Sequence, residues 1–242
     1  AQKVWRGAGL RPFRFIAPEV WFSDRLNLVA ASPALWPAPG GWDGRHRLCG
    51  WLGLEESRPW APSGALERFF EAGEAPVFMT LGSAAQVAAG RAEALLMEAA
   101  RRSGARAIVQ SLEPGVEGEV APGVFRLGPA PHERLFARCA AVVHHGGAGT
   151  THAAARAGRP CVVTGFMAEQ MSWAGQMRRA GALSHAMNFY FATPGRLARA
   201  IRGTLADAGL RRNAEALAAR MRDEDGAGAA VRALEAMAGQ GG

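Results

Sequence analysis

Short apolar runs alternate with longer amphipathic stretches along most of the chain after residue 75. The apolar runs are four to six residues long and often rich in valine, which predicts strands at 77–81, 106–111, 124–127, 140–145, 161–164 and 182–187. The stretches between them predict helices at 87–103, at 131–138, from the turn after residue 145 to about 157, at 169–180 and over most of the last fifty residues. Strands of this kind are typical of a parallel sheet with helices on both faces, so we expect an α/β fold.

The first 75 residues have a different pattern. They are rich in tryptophan and proline, with loop-like segments at 33–42 and 51–64 and short extended runs at 28–32 and 46–51. This pattern predicts a connecting segment that packs on another part of the protein, rather than an independent domain. We therefore expect residues 1–75 to be an appended segment and residues 76–242 to form the main domain.

The composition is that of a soluble globular protein, since 49% of the 242 residues are apolar and 20% are charged. The net charge of +7 is spread along the chain, with nine basic and eight acidic residues in 1–75, eleven and seven in 76–195, and eight and six in 196–242. No segment is a basic tail, so we expect no nucleic acid partner. The uncharged run between Arg138 and Arg156 contains three histidines and three glycines and does not predict a membrane span.

The three cysteines, Cys49, Cys139 and Cys161, are an odd number, lie far apart and form no CxxC pair. This argues against a disulfide framework or a cysteine-based zinc ribbon and favours a reducing compartment. We therefore expect a cytoplasmic protein that touches a membrane at its periphery at most. Lys3 is the only lysine among 28 basic residues, and such a bias toward arginine is typical of GC-rich bacterial genomes.

The most informative segment follows the fourth predicted strand, where His144 and His145 lead into a glycine-rich turn and a helix that begins near Thr150 and Thr151. Ligands of open parallel sheets bind beyond the carboxyl ends of the strands. Glycines let backbone N–H groups approach an anion, a helix N-terminus adds partial positive charge, and histidine and threonine add side-chain donors. The segment predicts a diphosphate cradle that needs neither a lysine nor a metal ion.

Three alternatives remain open for this segment. The first is a glycine turn capped by threonine, with no ligand. The second is a dinucleotide fingerprint with Glu169 twenty residues beyond Gly149, although His152 occupies the third glycine position and the turn does not follow the first strand. The third is a zinc site made of His144, His145 and His152, for which no carboxylate or cysteine lies close in sequence.

The run HHGGAGTTHAAARAGRP (144–160), followed by EQMSWAGQ (169–176), resembles the donor-site signature of the UDP-dependent glycosyltransferases. The likeness is strongest to the bacterial and fungal branch that includes sterol glucosyltransferases and the transferases of lipids and macrocyclic natural products. Upstream, SPALWPAPGGW, APVFMTLGS and APHERLF resemble, in this order, the segments that lead into and through the C-terminal half of that family.

The resemblance implies the C-terminal half of a GT-B fold, in which two Rossmann-like domains face each other across a cleft, with the N-terminal acceptor domain largely missing. It makes residues 1–75 a remnant of the acceptor domain and interdomain linker, and residues 76–242 the nucleotide-sugar donor domain. By the same resemblance, the donor-site residues are Ser83, His145, Ala148, Gly149 and Thr150 around the diphosphate, Ala130 and His132 at the uracil, and Glu169 and Gln170, in place of an Asp-Gln pair, at the sugar. The glycine turn and helix start themselves add Gly147 and Thr151 to the diphosphate residues.

The resemblance also implies an activity. A UDP-sugar, with glucose expected, would glycosylate a lipophilic hydroxyl acceptor such as a sterol, a lipid or a natural product, without a metal or other cofactor. The family's catalytic base is a histidine of the N-terminal domain, and none of the six histidines here matches it. We therefore expect the chain alone to be inactive or very weak and to need an acceptor-domain chain or a homo-oligomer. The alternatives are a non-catalytic nucleotide-sugar-binding module and a basic nucleic-acid-binding protein.

Overall fold

The computed structural model describes residues 2–9, 11, 14, 21–53, 60–113 and 115–239. The helices are α1 (Gln2–Gly7), α2 (Gly64–Glu71), α3 (Ala89–Ser103), α4 (His132–Phe136), α5 (Ala148–Arg156), α6 (Ala168–Arg179), α7 (Pro194–Ala206), α8 (Ala208–Met221) and α9 (Gly226–Gly239). The strands are β1 (Asn27–Val29), β2 (His46–Leu48), β3 (Val77–Met79), β4 (Ala107–Gln110), β5 (Glu117–Ala121), β6 (Val124–Leu127), β7 (Ala141–His144), β8 (Cys161–Gly165) and β9 (Leu183–Asn188). Residues 54–59, in the predicted loop at 51–64, lie outside the described residues.

The chain divides into two compact units, residues 55–223 and residues 1–54 with 224–242. In the smaller unit β1 and β2 pair in parallel, and the Ser32 hydroxyl donates a 2.6 Å hydrogen bond to the Glu224 carboxylate. The packing therefore divides the chain at 54/55 and 223/224. The boundary at 75/76 remains a prediction about function, and it falls within the larger unit.

The larger unit contains one seven-stranded sheet in the order β5-β6-β4-β3-β7-β8-β9. Every neighbouring pair is parallel except β5 and β6, which are antiparallel. The six predicted strands are confirmed to within two residues at each end, and the predicted parallel α/β sheet is confirmed with them.

Apolar side chains fill both faces of this sheet. On one face, strand residues such as Val77, Val143 and Val162 form a buried core with Leu96 of α3 and Ile201 of α7. On the other face, Phe78 of β3 packs against Phe136 of α4, with ring centroids 5.1 Å apart. The coverage of both faces explains why the strand sequences read as continuous apolar runs.

Two elements of the larger unit were not predicted from the sequence. Helix α2 begins after Ser63, whose hydroxyl accepts the Leu66 N–H, and it buries Leu66, Phe69 and Phe70. Strand β5 has the polar sequence EGEVA and lies at an edge of the sheet, where most of its residues are exposed. Helix α2 lies in a stretch whose sequence predicts irregular structure. Strand β5 lacks the apolar run of a buried strand.

The order of the strands fixes where a ligand would bind. The chain runs from β3 outward to β4 and β6, and then returns to the opposite side of β3 to form β7, β8 and β9. The strand order therefore reverses between β3 and β7. In open parallel sheets the crevice beyond the carboxyl ends of two such strands is the usual ligand site.

Candidate donor-binding site

The loops that follow β3 and β7 meet at this crevice through Gly82 and His145. Gly82 has a φ of +54°, and a Cβ atom at that position would lie only 2.7 Å from Cε1 of the His145 ring. A Cβ atom on Gly147 would overlap Nε2 of the same ring. The His145 imidazole therefore lies between two glycines from neighbouring strands, and it could not occupy this place if either glycine carried a side chain.

The His145 side chain is 9% exposed, and its Nδ1 atom is buried without a hydrogen-bond partner. Burial lowers the pKa of this imidazole, so the ring is neutral at pH 7. A buried polar atom without a partner is costly, so each one in a structure calls for an explanation.

His144, the adjacent residue, also has one buried ring nitrogen without a partner, Nε2, but its other ring nitrogen is hydrogen-bonded. It is fully buried at the end of β7, and its Nδ1 accepts the backbone N–H of Gly146 at 3.1 Å. Burial, reinforced by the nearby His145 and His132, lowers its pKa to about 3. His144 is thus a neutral imidazole that fixes the glycine turn.

Helix α5 begins beside the His145 ring. Gly147 is its N-cap residue, and no side chain caps its first turn. The N–H groups of this turn lie at the positive end of the helix dipole. The Thr151 hydroxyl donates to the Gly147 carbonyl at 2.8 Å, so it stabilises the turn itself, while Thr150 is nearly buried one residue earlier. Backbone N–H groups and a neutral imidazole are therefore the donors that this segment offers to an anion.

A hydrogen-bonded set that the sequence did not reveal connects β3, β4 and α4. The Oε1 atom of Gln110 accepts the Thr80 hydroxyl at 2.8 Å and lies 3.0 Å from Nε2 of His132, while the Gly82 N–H donates to Thr80 Oγ1 at 3.0 Å. Thr80 follows β3, and Gln110 ends β4. Polar residues at the carboxyl ends of apolar strands were the signal that could have identified them.

His132 takes part in this set as a neutral ring. Burial, with a smaller contribution from the nearby His145, lowers its pKa to about 4. Its ring stacks on Phe136 with centroids 4.8 Å apart, and Nε2 donates to Gln110 because a glutamine carbonyl only accepts. Ala130 lies half-buried two residues before it.

Glu169 and Gln170 lie in the first turn of α6, after β8. Gln170 is buried, and its Oε1 accepts the backbone N–H groups of Phe166 and Met167, at 2.6 and 3.4 Å. The exposed Glu169 carboxylate accepts the indole N–H of Trp173. The acceptor end of Gln170 is thus used by its own loop, which leaves its amide N–H group and the Glu169 carboxylate for a ligand.

The glycine turn and the α6 loop are in direct contact. Gly146 has a φ of +87°, and a Cβ atom there would lie 2.6 Å from the backbone oxygen of Gln170. Of the remaining predicted residues, Ser83 is exposed in the turn that follows β3, and Gly149 is exposed in the first turn of α5. The structure brings together the loops that follow β3, β7 and β8, and these loops lie in the same order as the three strands in the sheet.

The geometry also bears on the zinc site and the dinucleotide fingerprint, two of the alternatives for the segment after His144. His152 packs against Trp173 with ring centroids 5.0 Å apart, and its Nδ1 donates to the Ala148 carbonyl at 2.8 Å. Among the described residues, no group of three or more histidine, cysteine, aspartate or glutamate side chains is arranged to hold a metal ion. The glycine turn follows β7, which is the fourth strand of the parallel series and not its first.

Residues 95–237, more than half of the chain, match the family described as "Erythromycin biosynthesis protein CIII-like, C-terminal domain". The chain belongs to this family. O-mycaminosyltylonolide 6-deoxyallosyltransferase of Streptomyces fradiae is 34% identical to this chain over 216 residues, which are 87% of this chain and 50% of that protein. A sterol 3-beta-glucosyltransferase of Arabidopsis thaliana is 32% identical over 205 residues, 84% of this chain and 32% of that protein. The chain spans half or less of the length of these two relatives.

Solved structures show the same fold. The glycotransferase of kitacinnamycin matches this chain with a TM-score of 0.73 at 19% identity, over 98% of this chain and 60% of that one. A spinosyn rhamnosyltransferase complexed with thymidine diphosphate matches with a TM-score of 0.66 at 21% identity, over 97% and 60%. These neighbours are GT-B glycosyltransferases, so the predicted family resemblance and fold class are confirmed.

Within the described residues, no helix combines the length and the apolar character needed to cross a bilayer.

Proposed function

We propose that the larger unit binds a UDP-sugar and that the chain is the donor-binding half of a glycosyltransferase. The observation that carries this proposal is the His145 ring, which lies between Gly82 and Gly147 at the reversal of strand order with Nδ1 unpartnered. A diphosphate next to this ring would give the imidazole a partner and meet the uncapped first turn of α5. An anion at this place would also favour the protonated ring.

In this proposal the diphosphate lies along His145 and the backbone N–H groups of Ala148, Gly149 and Thr150, with the Ser83 hydroxyl on the β3 side. Transfer of the sugar leaves the diphosphate with additional negative charge. Donors that are already oriented stabilise such charge without reorganisation. The same donors serve in place of a metal ion, so we propose metal-independent binding.

We assign the uracil to the segment from Ala130 to His132. The His132 ring is held by Phe136 and Gln110 and is neutral, so it offers the base a fixed, uncharged surface. The half-buried Ala130 can meet the edge of the base through its backbone. Backbone groups at fixed positions discriminate between base edges by hydrogen bonding.

We assign the sugar to Glu169 and Gln170. A carboxylate and an amide side by side can bind adjacent hydroxyls of a hexose. Glucose is the proposed sugar, which fits the activity named for the Arabidopsis relative. Glutamate in place of the family's aspartate extends the carboxylate by one methylene group, and this sets the hydroxyl that it reaches.

The acceptor is proposed to be a lipophilic hydroxyl compound, because the named activities of the relatives concern a sterol and a tylonolide. We propose that the base and most of the acceptor pocket come from a region that these 242 residues do not contain, supplied by a partner chain or a longer polypeptide. Residues 1–75 would then be the acceptor-side remnant and linker.

Isothermal titration of the chain with UDP, TDP, UDP-glucose and TDP-glucose tests the proposal. We expect UDP and UDP-glucose to bind, with the same affinity in buffer containing EDTA. Absence of binding by all four ligands, or binding that disappears with the chelator, would refute it. Preference for the thymidine nucleotides would support the donor site but show that its base is thymine and not uracil.

A further inference from the structure

Two aromatic side chains project from the larger unit where β9 passes into α7. Phe191 is 74% exposed and Tyr190 is 51% exposed, and Phe191 is the most exposed large apolar side chain among the described residues. We call residues 189–191 the aromatic tip. Met167, 58% exposed, precedes α6 at the end of the neighbouring strand β8. Adjacent exposed apolar side chains such as Tyr190 and Phe191 can mark an interaction surface.

The aromatic tip is held in place by specific contacts. Phe189 is buried and stacks on Phe166 with ring centroids 4.2 Å apart, while the Asn188 side chain accepts the Tyr190 N–H at 2.9 Å. Two guanidinium groups complete the arrangement. Arg91 donates to the Tyr190 carbonyl at 2.9 Å, and Arg196 donates to the Phe191 carbonyl at 3.2 Å. The fold therefore presents the two aromatic rings outward.

The sequence between Glu169 and Asp207 carries only basic charge, and Glu169 itself is exposed on the neighbouring α6 loop. No aspartate or glutamate occurs from residue 170 to residue 206, a segment that contains five arginines. Arg199 is exposed one turn after Arg196 on α7, and Arg202 donates to a backbone carbonyl. In the part of the chain that the structure describes, Arg91, Arg196, Arg199 and Arg202 form no ion pair with a carboxylate. Their positive charge remains available to a partner.

We propose that the aromatic tip and its arginines dock on an anionic lipid surface. Aromatic rings prefer the boundary between headgroups and acyl chains. Arginine pairs well with phosphate, and each basic residue near an anionic bilayer strengthens binding about fivefold. A second copy of the chain fits this surface less well, because a two-fold interface would bring the same arginines together. Exposed rings flanked by unpaired positive charge match the surface of a bilayer.

The docking would place the candidate sugar loop next to the lipid. Phe166 stacks on Phe189 of the aromatic tip, and its backbone N–H donates to the Gln170 side chain. These two contacts connect the tip to the loop of Glu169 and Gln170. A lipophilic acceptor dissolved in the membrane would then approach that loop from the bilayer. The docking itself stands independently of the proposed function, because lipid binding needs no nucleotide sugar.

Vesicle flotation of the 242-residue chain tests the docking. We expect binding to vesicles of phosphatidylcholine mixed with phosphatidylglycerol, weak or no binding to phosphatidylcholine alone, and loss of binding at high salt. Phe191→Ala should weaken binding at least tenfold, whereas Val120→Ala, at an exposed residue of β5 on the opposite edge of the sheet, should not change it. Thermal melting establishes that each variant is folded.

The variant Arg199→Gln measures how much the positive charge of the arginines contributes to lipid binding. It should weaken binding to anionic vesicles about fivefold at low salt. Arg212→Gln, at an exposed arginine of α8, is the matched control. Failure of the wild-type chain to float with anionic vesicles, or equal binding by Phe191→Ala, would overturn the proposal. Concentration-dependent dimers in analytical ultracentrifugation that Phe191→Ala abolishes would assign the surface to self-association instead.

Discussion

His145 and Gly82 come from strands β7 and β3, which neighbour each other in the sheet but are separated by more than sixty residues of sequence. The imidazole of His145 occupies the space that a side chain at position 82 would need, with Cε1 only 2.7 Å from a Cβ atom built there. The absence of a side chain at Gly82 is therefore a requirement for the position of the His145 ring. The proposed site depends on this pair.

Replacing Gly82 with alanine should displace the His145 ring and weaken UDP binding at least tenfold. The added Cβ atom meets the ring, and the φ of +54° adds backbone strain for a residue other than glycine. Gly203→Ala on α7 is the matched control, because a Cβ atom there meets nothing within 4 Å. Calorimetric titration with UDP measures the affinity of each variant. Equal affinities of the two variants would show that the position of the His145 ring does not affect nucleotide binding.

His145→Ala should weaken UDP binding more than His144→Ala does. Loss of a hydrogen bond to phosphate costs about 1–3 kcal/mol, which is about fivefold to 150-fold in affinity. His144 is fully buried and bonds the Gly146 N–H, so its replacement should act mainly on the melting temperature. His185→Ala, at an exposed residue of β9, is the control. A larger loss of UDP affinity from His144→Ala would show that the two roles are reversed.

Glu169→Ala should leave the affinity for UDP nearly unchanged and weaken the affinity for UDP-glucose. The carboxylate is exposed on the α6 loop and is assigned to the sugar, whereas the diphosphate is assigned to the β7 turn. Glu169→Gln keeps an oxygen that can accept the Trp173 indole N–H, so it separates the loss of charge from the loss of that bond. If Glu169→Ala weakens UDP and UDP-glucose equally, the residue acts on the structure of the loop.

The protein should lose stability in mild acid through its buried histidines. The unfolded chain binds protons at these imidazoles below about pH 6.5, whereas burial lowers the folded-state pKa to about 4 for His132 and about 3 for His144. Lower pH therefore favours the unfolded state, by about 1.4 kcal/mol per pH unit for each group between about pH 6 and pH 4. Urea unfolding across this range measures the slope, and His132→Gln should reduce it. An unchanged slope in that variant would exclude His132 as a source.

The chain alone should form no glycoside at a useful rate. General-base activation of an acceptor hydroxyl contributes about 10²–10⁴-fold, and positioning of two substrates contributes more. Both are proposed to come from outside these residues. Incubation with UDP-glucose and a panel of sterols, phenols and macrolides, monitored for UDP and for glycoside, tests this. Rapid glycoside formation would show that the chain contains its own acceptor site. UDP binding without transfer, even when the N-terminal half of a relative is added, would favour a binding module.

The sequence predicted the inner strands β3, β4, β7 and β8 well because they are buried on both faces and read as apolar runs. Strand β5 was not predicted, since it lies at an edge of the sheet and has a polar sequence that local pattern does not distinguish from a loop. Helix α2 was missed for another reason. Its apolar face, with Phe69 and Phe70, lies within a tryptophan- and proline-rich stretch that was interpreted as a linker.

The candidate site was predictable only in part. His145 and its glycines share one local segment, so their chemistry could be inferred from adjacent residues. The contacts of Gly82 with His145 and of Gln110 with His132 depend on which strands become neighbours. Because the strand order reverses between β3 and β7, no local pattern indicates those pairs.

The close approach of Gly146 to the backbone oxygen of Gln170 has a consequence for the redesign of donor preference. The residue that would hold the hexose and the turn that would hold the diphosphate share one packed contact, with no room for an additional atom. A substitution that moves the first turn of α6 to accept a different hexose must also move the glycine turn. Libraries that vary the α6 loop should therefore lose nucleotide binding before they gain a new sugar, unless they keep Gly146 and the backbone position of Gln170.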